Sequence, residues 1–321
     1  MKLACVVLLA AAAVRDSDSR SDGLREVGIT SSFDGQLQKA LFYAPAGAQD
    51  ENAEPAPLAV ALHQWSSGYA HETSKEYFEE CRRRGWIMIH PDFRGPNFCP
   101  SACASNAAVR DVLDAVEYAK AHARVDQKRI YVLGGSGGGH MTLMMAAKAP
   151  ELWAAASAWV PISDLAAWHA ETKKAKLKYC RDLELVCGGP PGASAAVDEQ
   201  YRLRSPLTHL RSAAGLPVDI NAGIHDGHTG SVPVGHSLRA FNLLAEANGE
   251  PGKAVSGADI AFMQETREVP EAILYGGPQE RNRRHLILLR REAGPTRVTI
   301  FEGGHDMDVP VAMDWLSTKS K

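Results

Sequence analysis

Ile130-Tyr131-Val132-Leu133-Gly134-Gly135-Ser136-Gly137-Gly138-Gly139-His140 is the stretch on which the reading of this chain turns. Its first four residues form a short apolar run without polar alternation, the pattern of a strand covered on both faces of a parallel sheet. Glycines then break the run, and residues 140–149 resume as a helical pattern apolar on nearly all sides, which predicts a buried helix. Between strand and helix, residues 134–138 match G-x-S-x-G. Small neighbours let the two elements approach closely at a sharp turn. Such a turn aims the Ser136 hydroxyl outward, beside helix N–H groups that favour developing negative charge. Ser136 is the candidate nucleophile and the Gly137 N–H a candidate oxyanion donor. A glycine-rich turn can also hold a phosphate, but no Gly-Lys-Ser/Thr follows, and His140 stands where G-x-G-x-x-G needs its third glycine.

Outward from this stretch, apolar runs at 58–63, 86–89, 154–160, 218–222 and 297–301 read as strands. Helical patterns at 72–84, 111–123, 234–248 and 309–317 lie between or after them. Alternation of this kind predicts a mostly parallel sheet with helices on both faces. Residues 24–33 and 36–43 flank Asp34-Gly35, a two-residue hairpin signal, and add antiparallel strands at one edge. Two long stretches interrupt the rhythm. Residues 164–210 read as a lid-like insertion over the active site and residues 250–285 as a segment at the sheet edge.

Residues 129–132 and 134–150 resemble the nucleophile region of the α/β-hydrolase superfamily, most of all its prolyl oligopeptidase-like and acetyl xylan esterase-like branches. The element order of residues 24–317 resembles that fold throughout, which implies one α/β-hydrolase domain over 24–321. The resemblance also implies a triad in the order Ser, acid, His. Phe301-Glu302-Gly303-Gly304-His305 matches the superfamily's Gly-His loop, so His305 is the candidate base. Asp226, on the loop after the 218–222 strand, is the candidate acid, orienting the imidazole. The superfamily often places its acid slightly later, just before a Val such as Val232. Here those positions are Thr229, Gly230 and Ser231, so Asp164 is the substitute. Asp219 starts its strand and belongs to the wrong end of the sheet.

His63-Gln64-Trp65 occupies the place of the superfamily's His-Gly motif, with Gln in place of Gly. The backbone N–H of Gln64 or Trp65 is the second candidate oxyanion donor. Arg94 follows a strand end on the active-site side. It commonly braces its loop in this superfamily and can also bind a substrate carboxylate. Trp65, Tyr69, Trp159 and Trp168 are expected near the same rim, where aromatic faces suit sugar rings or phenolic acyl groups. Trp65, Arg94, Trp159 and Trp168 are thus the candidate substrate-binding residues. His140 and His236 are expected to be structural or pocket-lining. A rival reading gathers His225, Asp226, His228, His305, Asp306 and Asp308 around a metal. The serine hydrolase already accounts for the Asp and His positions, so neither metal nor cofactor is expected.

The chain has 321 residues, is 45% hydrophobic and carries a formal net charge of −3 with 23% charged residues. No single-sign field points to nucleic acid or to an anionic membrane. At the N-terminus one lysine, an apolar run over 3–14 and a polar switch read as a signal peptide over 1–20, which implies a secreted or periplasmic protein. The run is too short for a permanent membrane span. Cys5 would leave with that segment. In an oxidising compartment Cys99 with Cys103, and Cys180 with Cys187, form local pairs that can staple loops and leave Cys81 free, or all five stay reduced. The functional expectation is an esterase acting through an acyl-serine on a small-molecule or carbohydrate ester, such as acetyl or feruloyl groups on polysaccharide. A prolyl oligopeptidase-like peptidase is the second reading, although such enzymes usually carry a large N-terminal propeller for which residues before the first strand leave no room. A catalytically idle α/β-hydrolase used for binding is the third.

Overall fold

In the computed structural model, which describes residues 23–321 apart from 51 and 53, the run at 130–133 lies at the centre of the sheet, each residue 0–1% exposed. The 1–20 segment and Cys5 lie outside the described residues. In chain order the elements are β1 (Arg25–Thr30), β2 (Leu37–Tyr43), β3 (Ala56–Leu62), α1 (Ser74–Arg84), β4 (Ile87–Pro91), α2 (Asn106–His122), β5 (Val125–Gly135) and α3 (Gly137–Lys148). There follow β6 (Ala155–Trp159), α4 (Leu165–Lys174), α5 (Tyr179–Cys187), α6 (Ala195–Arg204), β7 (Val218–Gly223), α7 (Gly235–Ala247), α8 (Gly257–Thr266), β8 (Ile287–Ala293), β9 (Thr296–Phe301) and α9 (Val309–Ser317). The sheet runs β1-β2-β4-β3-β5-β6-β7-β9-β8. Its middle, from β4 to β9, is parallel, and β1, β2 and β8 are antiparallel. This is the α/β-hydrolase architecture expected from the alternation of elements.

Parallel strands present their C-terminal ends on one side, so the loops after β3, β4, β5, β6, β7 and β9 share one rim. The helices form for local reasons. Ser105 caps α2 by accepting from the Ala108 N–H, which starts that helix five residues before the apolar face at 111 begins. Gly85 ends α1 at φ 67°, the left-handed cap that glycine adopts without a Cβ penalty.

Two local readings need correction, and one left open is decided. The β1–β2 connection spans residues 31–36 instead of a two-residue turn, because Ser31 and Asp34 are drawn aside onto Arg94. Arg94 binds Asp34 and Asp111 with its side chain only 5% exposed, so it braces β1–β2 against α2 and is not available to a substrate carboxylate. Cys81, Cys99, Cys103, Cys180 and Cys187 are all free thiols here. Cys180 and Cys187 sit seven residues apart on one helix, α5, which separates them by about 10 Å, well beyond disulfide reach.

Residues 164–210 fold into α4, α5 and α6 around a second apolar cluster that includes Trp65, Trp168, Leu183 and Tyr201. Residues 250–285 contribute α8 and then lead into β8, an edge strand without sequence alternation. Glu280 ties this segment to the sheet edge through Arg283 and Arg290. Burial alone pushes its carboxyl up, but the hydrogen bonds from Arg290 and Arg283 outweigh that and hold it at about 2. A carboxyl depressed in the folded state stabilises the fold above its unfolded value near 4.5 and loses that contribution as pH falls toward about 2. Thermal melts across that window should therefore show a shallower acid-side decline for Glu280→Gln than for the parent chain. An equal slope would remove Glu280 from the acid response.

Candidate active site

Ser136 lies at the junction of β5 and α3 with φ 58° and ψ −119°, a strained conformation for a residue with a Cβ. Its N–H donates to the Trp159 carbonyl at 2.9 Å, and its own carbonyl accepts from the His140 N–H at 2.9 Å. The surrounding glycines are needed for space. A Cβ on Gly138 would fall 2.2 Å from the Leu62 carbonyl oxygen, and one on Gly139 2.6 Å from that of Trp159.

His305, the candidate base, lies on the loop after β9. His305 Nδ1 lies 2.7 Å from Asp226 Oδ2. A carboxylate only accepts, so Nδ1 carries the proton and Nε2 is left as the basic nitrogen. Asp226 is fully enclosed, and its Oδ1 accepts from the N–H groups of Gly227 at 2.9 Å and Val232 at 3.0 Å. Backbone packing sets the pair. A Cβ on Gly223 would come within 2.2 Å of the Gly304 carbonyl, and one on Gly230 within 2.3 Å of Asp226 and 2.5 Å of the His305 Cβ. The glycine at 230, where the superfamily often has its acid, thus leaves the room that Asp226 and His305 occupy. Asp164 is engaged elsewhere, as the N-cap of α4.

Ser136 and His305 line one cleft of about 150 Å³ together with Gln64, Thr73, Glu76, Tyr77, Asp306 and Met307. Thr73, Glu76 and Tyr77 were not singled out from the sequence. They lie at the start of α1, and the available signal was that this helix begins on the loop after β3, at the functional rim. Burial pushes the Tyr77 phenol and the Glu76 carboxyl up. Trp65 N lies 2.4 Å from where a Gly137 Cβ would stand, so the Trp65 main chain lies against the nucleophile turn, while Gln64 lines the cleft beside Ser136. Gly137 is the first residue of α3, where helical N–H groups have no intrahelical partner. His63 fixes the approach, its ring nitrogens 2.9 and 2.8 Å from the carbonyls of Gln64 and Asp92 and its ring stacked on Phe93.

The aromatic candidates are placed differently. Trp159 is 1% exposed in the core, and its carbonyl rather than its indole serves the nucleophile turn. Trp65 and Trp168 pack edge to face, both buried in the second cluster, with their indole N–H groups on Asp182 and the Ser231 carbonyl. Tyr69 borders a neighbouring depression of about 350 Å³ that shares Gln64 with the cleft. His140 and His236 are buried, held by the Arg204 carbonyl and by Glu171. The residues of the metal reading are dispersed. His225 meets Glu302, His228 the Gln264 carbonyl, Asp306 His285, and Asp308 the Arg284 N–H. Among the described residues no group of three or more such side chains is placed to hold a metal ion. No helix among them is long and apolar enough to cross a membrane.

The model of the prolyl oligopeptidase family matches residues 77–257, more than half of the chain. The chain belongs to the prolyl oligopeptidase family. A curated relative, the probable acetylxylan esterase A of Neosartorya fischeri, is 26% identical over 114 residues, which are 33% of this chain and 31% of the relative. The acylaminoacyl peptidase of Pyrococcus horikoshii superposes with a TM-score of 0.59 at 15% identity, covering 92% of this chain and 39% of that one. A puromycin-hydrolyzing peptidase of Mycobacterium tuberculosis gives a TM-score of 0.55 at 23% identity over 70% of this chain and 34% of that one. The chain therefore spans between about a third and two fifths of these relatives' lengths, and at such identities the structures share a fold with the prolyl oligopeptidase family member described here.

Asp226→Asn keeps the shape of the side chain but lets the wrong tautomer of His305 form. Hydrolysis should fall by about 10⁴-fold. Asp164→Asn, which keeps a helix cap of equal quality, should leave the rate within about twofold. Steady-state kinetics on both variants test the assignment, and the reverse ranking would move the acid to Asp164.

Proposed function

We propose that this prolyl oligopeptidase family member is a serine hydrolase that cleaves carboxylic esters through an acyl-Ser136 intermediate, with a small acyl group such as acetyl and a hydroxylated, carbohydrate-like leaving group. The observation that carries the reading is one cleft holding a serine on a strained turn together with a histidine bonded to a buried carboxylate. Ser136 Oγ attacks the ester carbonyl while His305 Nε2 takes its proton. Charge developing on the carbonyl oxygen is met by the N–H groups of Gly137 and Trp65. His305 then returns the proton to the departing alkoxide, and water, activated by the same nitrogen, releases the acid. Asp226 holds the ring and stabilises the imidazolium throughout.

The size of the cleft supports a small acyl group, since about 150 Å³ is below the usual range for drug-sized ligands. The adjoining depression, with Gln64, Ser66, Tyr69, His71 and Asp92, supplies hydroxyl, amide and carboxylate groups suited to sugar hydroxyls. The partial likeness to an acetylxylan esterase favours the same choice. A peptidase is the second reading, favoured by Glu76 and Asp306 in the cleft, whose carboxylates suit a cationic amine.

A fluorophosphonate should label Ser136, and Ser136→Ala should lower p-nitrophenyl acetate turnover by about 10⁶-fold. Unlabelled but active protein would overturn the acyl-serine. Turnover should be unchanged by EDTA. Acetylated xylan should be a better substrate than methyl ferulate or aminoacyl-proline amides, and the opposite order in favour of the amides would install the peptidase.

A further inference from the structure

Asn97 lies on the loop after β4, is 0% exposed, and spends its polar groups unevenly. Its main-chain N–H donates to the Trp65 carbonyl at 2.8 Å, which fixes the residue whose main chain lies against the nucleophile turn. Its side-chain Oδ1 accepts from the Cys103 N–H at 3.1 Å. That bond sets the orientation of the carboxamide, because the Cys103 N–H requires the oxygen and so turns the NH₂ the other way. Facing the nucleophile turn, Nδ2 has no acceptor among the described residues. It lies 3.0 Å from where a Gly137 Cβ would stand, beside the Trp65 N at 2.4 Å from the same point.

Leaving a buried amide N–H unpaired is unfavourable, and the loop around it is itself held by costly features. Cys103 and Ala104 both have positive φ, 47° and 53°, values that residues with a Cβ rarely adopt. Arg204, itself buried, reaches from α6 to the carbonyls of Pro100, Ala102 and Cys103 at 2.8, 2.9 and 3.2 Å. A strained loop held by a buried arginine around one uncommitted donor is a preorganised arrangement.

We propose that Asn97 is a positioning residue of the oxyanion hole: it holds the Trp65 amide opposite Gly137 and backs the hole with the positive end of an uncommitted carboxamide. The assignment rests on the acyl-Ser136 reading. When the tetrahedral intermediate forms, negative charge appears within reach of a dipole that needs no reorganisation, while the neutral ester gains little from it. Asn97 thus acts on kcat and leaves KM alone.

Asn97→Asp keeps the acceptor for Cys103 and replaces the NH₂ by oxygen; Asn97→Ala removes both. For each, kcat on p-nitrophenyl acetate should fall by about 10²-fold with KM within about twofold. Affinity for a trifluoromethyl ketone analogue should fall by the same factor as kcat. Unchanged kcat, or a fall in kcat without a matching loss of analogue affinity, would overturn the proposal. In the unmutated protein the Asn97 side-chain amide resonances should move on phosphonylation of Ser136. This measurement decides the matter if neither variant folds, and stationary resonances would overturn it. Fluorophosphonate labelling of the unmutated chain separates the two layers, because its absence sinks the acyl-serine reading, whereas labelling with an indifferent Asn97 sinks only the positioning role.

Discussion

The hydrogen bond from the Ser136 N–H to the Trp159 carbonyl holds a backbone conformation that would otherwise relax. It exists because β5 and β6 are parallel neighbours with Gly135 opposite Trp159, so the end of one strand supports the turn after the other. Everything at the rim is measured from that turn. The first turn of α3 supplies its free N–H groups there, the loop after β3 brings the Trp65 amide against Gly137, and the loops after β7 and β9 deliver Asp226 and His305. Bare glycines mark each close approach: at 137, 138 and 223 neighbouring main chain fills the space, and at 230 the Asp226 and His305 side chains do.

This explains which parts were legible in the sequence. Ser136 and His305 sit where backbone crowding leaves a glycine signature, and Asp226 follows from its place after a strand. The parallel core was legible because its strands are buried on both faces and so read as unbroken apolar runs. Side-chain direction was not legible in the same way. Trp159 was expected at the rim, yet its pleat position turns the indole into the core and leaves only its carbonyl for the site. Arg94 lies on the functional side, yet two carboxylates more than a dozen residues away in either direction claim it.

The remaining misses are non-local. β8 carries Leu-Leu-Arg-Arg with no alternation, and Glu280 gathers arginines from β8, β9 and the segment before them. Glu76 and Tyr77 belong to the cleft because α1 begins at the rim, which no periodicity announces. The thiols at 180 and 187 looked like a staple in one dimension, whereas a helix holds them apart.

The grip of Arg204 on the Pro100, Ala102 and Cys103 carbonyls has an evolutionary side. The α4–α6 segment packs on the rim around an apolar cluster that it shares with Trp65, Cys103 and Val232. Its third helix carries the guanidinium that stabilises the bend after β4. A chimera receiving a foreign α4–α6 module would inherit an unsupported neighbouring loop unless the 97–104 stretch travelled with it, so the two segments are constrained to diversify as one unit.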